Sequence, residues 1–595
     1  MKPTKTSFTL LLFLLTYLTS CQLDDGPYFN NDVQESIPET FSQYFGSTIS
    51  RDIVGTVIDE NHLPISGVTI SVGGQTTQTD INGVFILQDA ELYERFGYIK
   101  ASKQGYLDGS RAIVPTEGTN KVSIMLLQEN VIGTVMSGQP GTVELSNGST
   151  VNFDGNFINE DGTAYQGNVN VIMHHLDPTD DDMEMQMPGM LYAQNEDGAE
   201  RMLQTLGMLA VELRGTNGED LNLAEGSTSE IKIPVDASLM SIAPATIPLW
   251  YFDEIHGYWK EEGQAILQGN MYVGTVSHFS FWNCDIPAEA ITLCVTVTNE
   301  DGADLNNLNV TITSSTFGTR GGQTNEKGEV CGLVPRNETL FLEIFSPESC
   351  ENISIYSENI GPFNEDASIT VIVQNGAVLS TETISGLVNN CNNENIENGY
   401  VVYTDNNNEI YQLISDGSFE INATRCTSSD TFSLRVVNLD TFETSSTIEY
   451  TFNSPITDVG TINTCISQEE YIIYFIDNSV DVMFYDNIEV ALTESSFTIL
   501  RHLNPGSTTK FLVDLPNQLG EYTTSSTNSM IFNIIYPVAS SNQYLFIGPY
   551  GINIETTYIG NGVGDFIDMN FNGTFLDPGG SEHTIEGQVH VRIDE

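Results

Sequence analysis

A chain of 595 residues is longer than one ordinary hydrophobic core organises, so several domains are expected. Its 80 Asp and Glu against 20 Lys and Arg give a net charge of −60, which repels nucleic-acid phosphates and anionic headgroups and excludes nucleic acid as a partner. With 40 % hydrophobic residues the chain is still apolar enough to fold.

Lys2 and Lys5 precede an apolar run from Phe8 to Leu18, and Thr19-Ser20-Cys21 follows. The run is about half of the roughly 20 residues that span a bilayer, so residues 1–20 read as a processed export signal. Leu18-Thr19-Ser20-Cys21 resembles the lipobox of bacterial lipoproteins, which implies cleavage before Cys21 and acylation of that cysteine. Gln22, Asp24 and Asp25 fall in a tetrapeptide similar to the export signal of Bacteroidota surface lipoproteins. That resemblance implies a lipid anchor in the cell outer membrane and a protein facing the exterior. Residues 21–50 are polar and mixed, and read as a lipidated tether.

Beyond the tether no long stretch follows a 3.6-residue period, whereas short alternating runs recur between Gly, Asn and Asp turns. The expected fold is all-β, a string of several β-sandwich domains behind the tether. In residues 51–127, Val68, Ile70 and Val72 alternate with Thr69 and Ser71, and Asn82-Gly83 supplies the backbone of a tight hairpin. Together with Leu63-Pro64-Ile65-Ser66-Gly67 and Lys103-Gln104-Gly105-Tyr106, these segments resemble the carboxypeptidase regulatory-like domain. The resemblance implies a transthyretin-like sandwich without peptidase chemistry, in a fold group associated with carbohydrate binding.

Residues 128–288 differ, with Met187-Pro188-Gly189-Met190, Ile247 to Asp253 and Ser277 to Asn283 as landmarks. They are similar to a domain of cartilage intermediate layer proteins, which implies an extracellular β domain. The first pattern returns in 289–376, through Asn299-Glu300-Asp301-Gly302 and Lys327-Gly328, and in 377–465, through Asp416-Gly417. These read as divergent, immunoglobulin-like or transthyretin-like sandwiches. Residues 466–595 form a C-terminal β domain with strand patterns at Tyr471 to Phe475 and Ile585 to Ile593.

Apart from Cys21, all seven cysteines lie between 284 and 465 with no CxxC pair, which suits disulfides in an oxidising compartment. The candidates are Cys294, Cys331 and Cys350 in one sandwich and Cys391, Cys426 and Cys465 in the next, with one bridge expected in each and the connectivity open. Cys284 makes the number odd, so at least one thiol is free or pairs elsewhere.

Nucleophile-elbow, HExxH, P-loop and dinucleotide motifs are missing, so no catalytic residue is assigned and no cofactor is implied. Asp177, Asp180, Asp181, Asp182 and Glu184 concentrate oxygen ligands suited to a structural Ca²⁺, but the EF-hand spacing is missing and a solvated acidic loop is the favoured reading. Met183, Met185, Met187 and Met190, near Met173-His174-His175, suit either Cu(I) or core packing, and core packing is the favoured reading. Trp250, Trp259 and Trp282 all fall in one domain, where they either stack on a sugar or fill a core. The expected function is a non-catalytic surface lipoprotein that binds a glycan or a cell-envelope component. The alternatives are a structural or adhesion protein contacting other proteins, and a glycan hydrolase using undetected carboxylates.

Overall fold

Alternation of apolar and polar residues puts one face of each strand against a partner sheet, and the chain does this five times over. The computed structural model describes residues 39–594 apart from short stretches, the longest being 503–508, 524–530, 537–543, 546–551 and 577–581. Cys21, Gln22, Asp24 and Asp25 lie outside the described residues.

The first sandwich comprises β1 (Thr48–Ile58), β2 (Thr69–Val72), β3 (Gln75–Gln78), β4 (Val84–Tyr93), β5 (Gly97–Ser102), β6 (Gly109–Ile113) and β7 (Asn120–Met125). One sheet runs β4-β1-β7 and the other β3-β2-β5-β6. β1 is antiparallel to β4 and parallel to β7. Val68, Ile70 and Val72 are buried between the sheets as their alternation predicts. Each contributes about 1.5–3 kcal/mol of burial.

The same topology recurs twice. Ala290–Asn299 lies between antiparallel Glu329–Pro335 and parallel Ala367–Val373. Leu379–Asn390 lies between antiparallel Ser418–Cys426 and parallel Ile456–Thr464. A shared device closes the first strand in all three. Asp59 Oδ1 accepts the amides of Asn61 and Leu63, Asn299 Oδ1 those of Asp301 and Ala303, and Asn390 Oδ1 those of Asn392 and Glu394. The third residue after each is left-handed, with φ of 62° at His62, 81° at Gly302 and 64° at Asn393. An Asp or Asn followed three residues later by a residue in this conformation is the signal that sequence reading missed.

Residues 131–288 form a thirteen-stranded sheet built around the sixteen-residue strand Glu200–Gly215. That strand is buried on both faces, because a core lies on either side. The C-terminal domain is two packed sheets in which Tyr471–Ile476, near its start, pairs with its last strand, Glu582–Arg592.

The domains follow one another in sequence but are not strung apart in space. Val54, Val84 and Ile86 of the first sandwich share a core with Tyr400, Val402 and Val437 of the third. The Tyr400 hydroxyl donates to buried Asp80 at 2.6 Å. Leu107 and Leu127 complete a core with Trp250, Phe252 and Trp259 of the middle domain. Asn325 of the second sandwich donates to Thr116, and a cavity of about 430 Å³ bearing Lys103 and Glu586 separates the first sandwich from the C-terminal domain. The first sandwich therefore packs against the middle domain and the second and third sandwiches.

One expectation is corrected here and another is extended. The end of the supposed tether is folded: a helical turn at Glu39–Ser42 precedes an aromatic socket where Phe41 and Phe45 are fully buried against Phe96, Tyr192 and Tyr258. Each of the two cysteine-bearing sandwiches holds one internal disulfide as expected, and a third bridge that was not expected links them. Cys294–Cys331 and Cys391–Cys465 lie within the second and third, while Cys350–Cys426 joins the two covalently. Such a bridge contributes about 2–4 kcal/mol. Cys284 is a buried free thiol in the middle-domain core.

Candidate ligand-binding cleft

The three tryptophans do not offer a sugar platform. Trp250, Trp259 and Trp282 are each 0 % exposed, so no ring face reaches a ligand. Trp250 Nε1 donates to the Asp285 carbonyl and Trp282 Nε1 to the His278 carbonyl. Large aromatic area is worth most when buried, and the middle domain uses it to fill two cores.

The acidic loop is spent on its own folding and on a domain contact. Asp177 caps Thr179, and Asp180 caps Asp182. Asp182 meets His62 of the first sandwich at 2.9 Å, and Glu184 faces Arg111 there at 3.9 Å. Among the described residues, only Cys294, Glu329 and Cys331 converge within metal-binding distance, and both cysteines are in the disulfide. Asp177, Asp180, Asp181, Asp182 and Glu184 thus do not converge on a Ca²⁺. Met183 and Met187 are buried in the core against Trp259. His174 and His175 sit next to each other on one strand; His174 bonds the Gln128 carbonyl, and burial pushes the His175 imidazole below its ordinary value.

Ionisable groups gather at the seam between the first sandwich and the middle domain. Asp253 Oδ2 meets His256 Nδ1 at 2.7 Å and Lys260 Nζ at 2.5 Å. Burial alone would raise the Asp253 carboxyl, but these two partners outweigh it and hold it at about 2. Next to it, desolvation and then the charges of Glu212 and Asp108 push Glu254 up to about 8. The Tyr98 hydroxyl crosses the seam to donate to the Glu254 carbonyl at 2.9 Å. Glu254 binds a proton in the folded state that the unfolded chain has released, so its contribution is full below the unfolded value near 4.5 and is lost as pH rises through about 8. Asp253 works in reverse, contributing above the ordinary carboxylate range and losing that contribution as pH falls through about 2. Thermal midpoints are therefore expected to fall from pH 5 to pH 8, and Glu254→Gln is expected to flatten that slope. An unchanged slope in the variant would remove Glu254 as its source.

The site with the chemistry of recognition is elsewhere. A cleft of about 560 Å³ opens where the first sandwich, the middle domain and the second sandwich meet. Arg111 on β6, Lys121 on β7 and Arg320 on the strand Gly318–Gln323 line it. Arg111 donates to the Glu184 carbonyl. Desolvation is the main influence on both Arg111 and Lys121 and lowers them; Arg111 is half-buried and Lys121 exposed. Met185, Met187, Met190 and Met202 contribute to the apolar wall beside aliphatic residues such as Ile113 and Val330, and no aromatic ring lines it. Sequence reading missed this site because its residues come from three domains. The only local hint was the scarcity of basic residues, which makes three in one cleft notable.

No family model matches the chain, and no curated protein matches it. Solved structures with similarity include the shaft pilin SpaA of Lactobacillus rhamnosus GG, at 10 % identity over 30 % of this chain and 98 % of that one, with a TM-score of 0.16. BcpA, the major pilin subunit of Bacillus cereus, aligns at 10 % identity over 70 % of this chain and all of that one, with a TM-score of 0.11. The major pilin SpaD of Corynebacterium diphtheriae aligns at 9 % identity over 55 % of this chain and 98 % of that one, with a TM-score of 0.12. Superpositions this loose carry no argument about function.

Proposed function

We propose that this is a non-catalytic surface lipoprotein, anchored in the outer membrane through Cys21, that works by adhesion to other proteins. One observation favours adhesion over glycan binding. Every tryptophan is buried, while an aromatic-free, cation-lined cleft opens among edge strands. The shared cores of the first sandwich with the middle domain and with the third sandwich, and the Cys350–Cys426 bridge between the second and third, support a rigid body that presents fixed surfaces.

The test is binding of the labelled chain to whole cells and to immobilised matrix proteins. Adhesion is expected to survive competition by free sugars and to vanish when target cells are stripped of surface protein by protease. Competition by a defined sugar would overturn the reading in favour of glycan binding. New reducing ends or peptide fragments would overturn it in favour of an enzyme. For the anchor, Cys21→Ser is expected to release the protein from the membrane fraction.

A further inference from the structure

We propose that the three-domain cleft is a docking slot for an extended, acidic peptide segment of a partner protein. This deepens the adhesion reading and rests on it.

Charge is the first argument. In a chain with a fourfold excess of acids, Arg111, Lys121 and Arg320 face one cavity. Among the described residues neither Lys121 nor Arg320 has a carboxylate within 4.0 Å, and Arg111 has only Glu184, at 3.9 Å. The rim acids are already engaged: Glu329 Oε2 accepts the Glu117 amide at 2.8 Å, and Glu326 Oε1 accepts the Thr119 amide at 2.6 Å. The cations thus keep only long contacts with acids, Glu184 for Arg111 and Glu326 for Lys121, while Glu326 and Glu329 are held by backbone amides. With a screening length of about 8 Å in physiological salt, a ligand inside the cleft responds to these cations more than to the distant net charge.

Shape is the second. β7, Gly318–Gln323 and Glu329–Pro335 are each the last strand of their sheets, and all three line the cleft. An edge strand carries backbone donors and acceptors that an added strand satisfies. The β6 edge is already met by the Gly189 amide, which donates to the Ser110 carbonyl at 3.2 Å. Glycines on the wall strands reinforce the argument, since glycine within a strand often marks close approach of another backbone. Gly321, Gly322 and Gly332 all line the cleft, and a Cβ added at Gly332 would meet nothing within 4 Å.

The methionine wall decides the rest. Flexible thioethers accommodate varied aliphatic side chains, and without a ring in the lining there is nothing for a sugar to stack on. A strand with acids on one side and aliphatic residues on the other satisfies the cations, the edges and the methionines together.

The experiment uses the full chain and fluorescent probe peptides of about six to eight residues, a typical strand length. One alternates Glu with Val and Leu, a second has Lys in place of Glu, and a third carries a central proline. A sulfated oligosaccharide is the fourth probe. The Glu peptide is expected to bind saturably and the Lys and proline peptides to fail. Lys121→Glu with Arg320→Glu is expected to weaken binding by at least about tenfold, in line with losing charge pairs at an interface. Gly332→Leu is expected to do the same by occupying the slot, with the thermal midpoint kept.

No binding of the Glu peptide, or equal binding of the proline peptide, would overturn the proposal. So would preferential binding of the sulfated oligosaccharide, or self-association of the chain that the double variant abolishes. If cell adhesion persists in the double variant, the cleft assignment falls and the adhesion reading stands. If the peptide binds through these residues but no adhesion is seen, the adhesion reading falls instead.

Discussion

Trp259→Ala is expected to lower the unfolding free energy by about 3–5 kcal/mol, the range for removing a buried large aromatic. The indole is fully buried, and the Phe252 ring meets it edge-on at 5.3 Å between centroids. Leu107 and Leu127 reach the same cluster from the first sandwich, so the cavity would open at the seam between two domains. Trp259→Phe keeps part of the volume and is expected to recover much of the loss. Denaturant unfolding followed by far-ultraviolet circular dichroism gives the result directly. A wild-type midpoint in Trp259→Ala would mean that the ring is not core. A role as a sugar platform predicts that different outcome, lost binding with stability intact.

Arg425→Met is expected to be comparably severe, at about 3–5 kcal/mol, because it strands a buried carboxylate. Arg425 Nη2 meets Glu382 Oε1 at 2.7 Å, and the Glu382 side chain is 0 % exposed. The guanidinium also donates to the carbonyls of Cys426 and Ser429 and lies 4.3 Å from the Phe452 ring centre. Glu382 Oε2 already lacks a partner, so without Arg425 only the Ser454 hydroxyl would still donate to the carboxylate, at Oε1. Removing both charges together, as Arg425→Met with Glu382→Leu, is expected to recover much of the loss, since the penalty comes from the unpaired charge. A double variant as unstable as the single would show that packing, not charge, dominates. Because Cys426 is the next residue, proteolysis of the single variant is expected to expose the junction of the second and third sandwiches first.

How much of this was legible follows from how far each signal reaches along the chain. The alternation of Val68, Ile70 and Val72 spans five residues, and the burial of those side chains follows from it. The hairpin at Asn82-Gly83 was readable for the same reason, with Gly83 at φ 70°. The recurrence of one topology was visible through Gly328 and Gly417, which also hold positive φ. The loop after each first strand was equally local; Asn299-Glu300-Asp301-Gly302 was read as part of the recurring pattern, but its equivalents at Asp59 and Asn390 were not, because dissimilar residues follow them.

The sequence by itself determined the all-β class, the turns and the strand faces, because periodicity and turn chemistry act between residues a few positions apart. Tertiary structure alone decided the rest. Asp80 and Tyr400 are 320 residues apart and share one hydrogen bond. Cys350 pairs with Cys426 across two domains, and Arg111, Lys121 and Arg320 meet in a cleft that none of their domains forms alone. The same holds for the tryptophans: an indole more often fills a core, but it also suits a ligand face. Only the sheets closing over Trp250, Trp259 and Trp282 settle that choice. Contacts of this kind depend on which surfaces finally pack together, and no local pattern of residues encodes them.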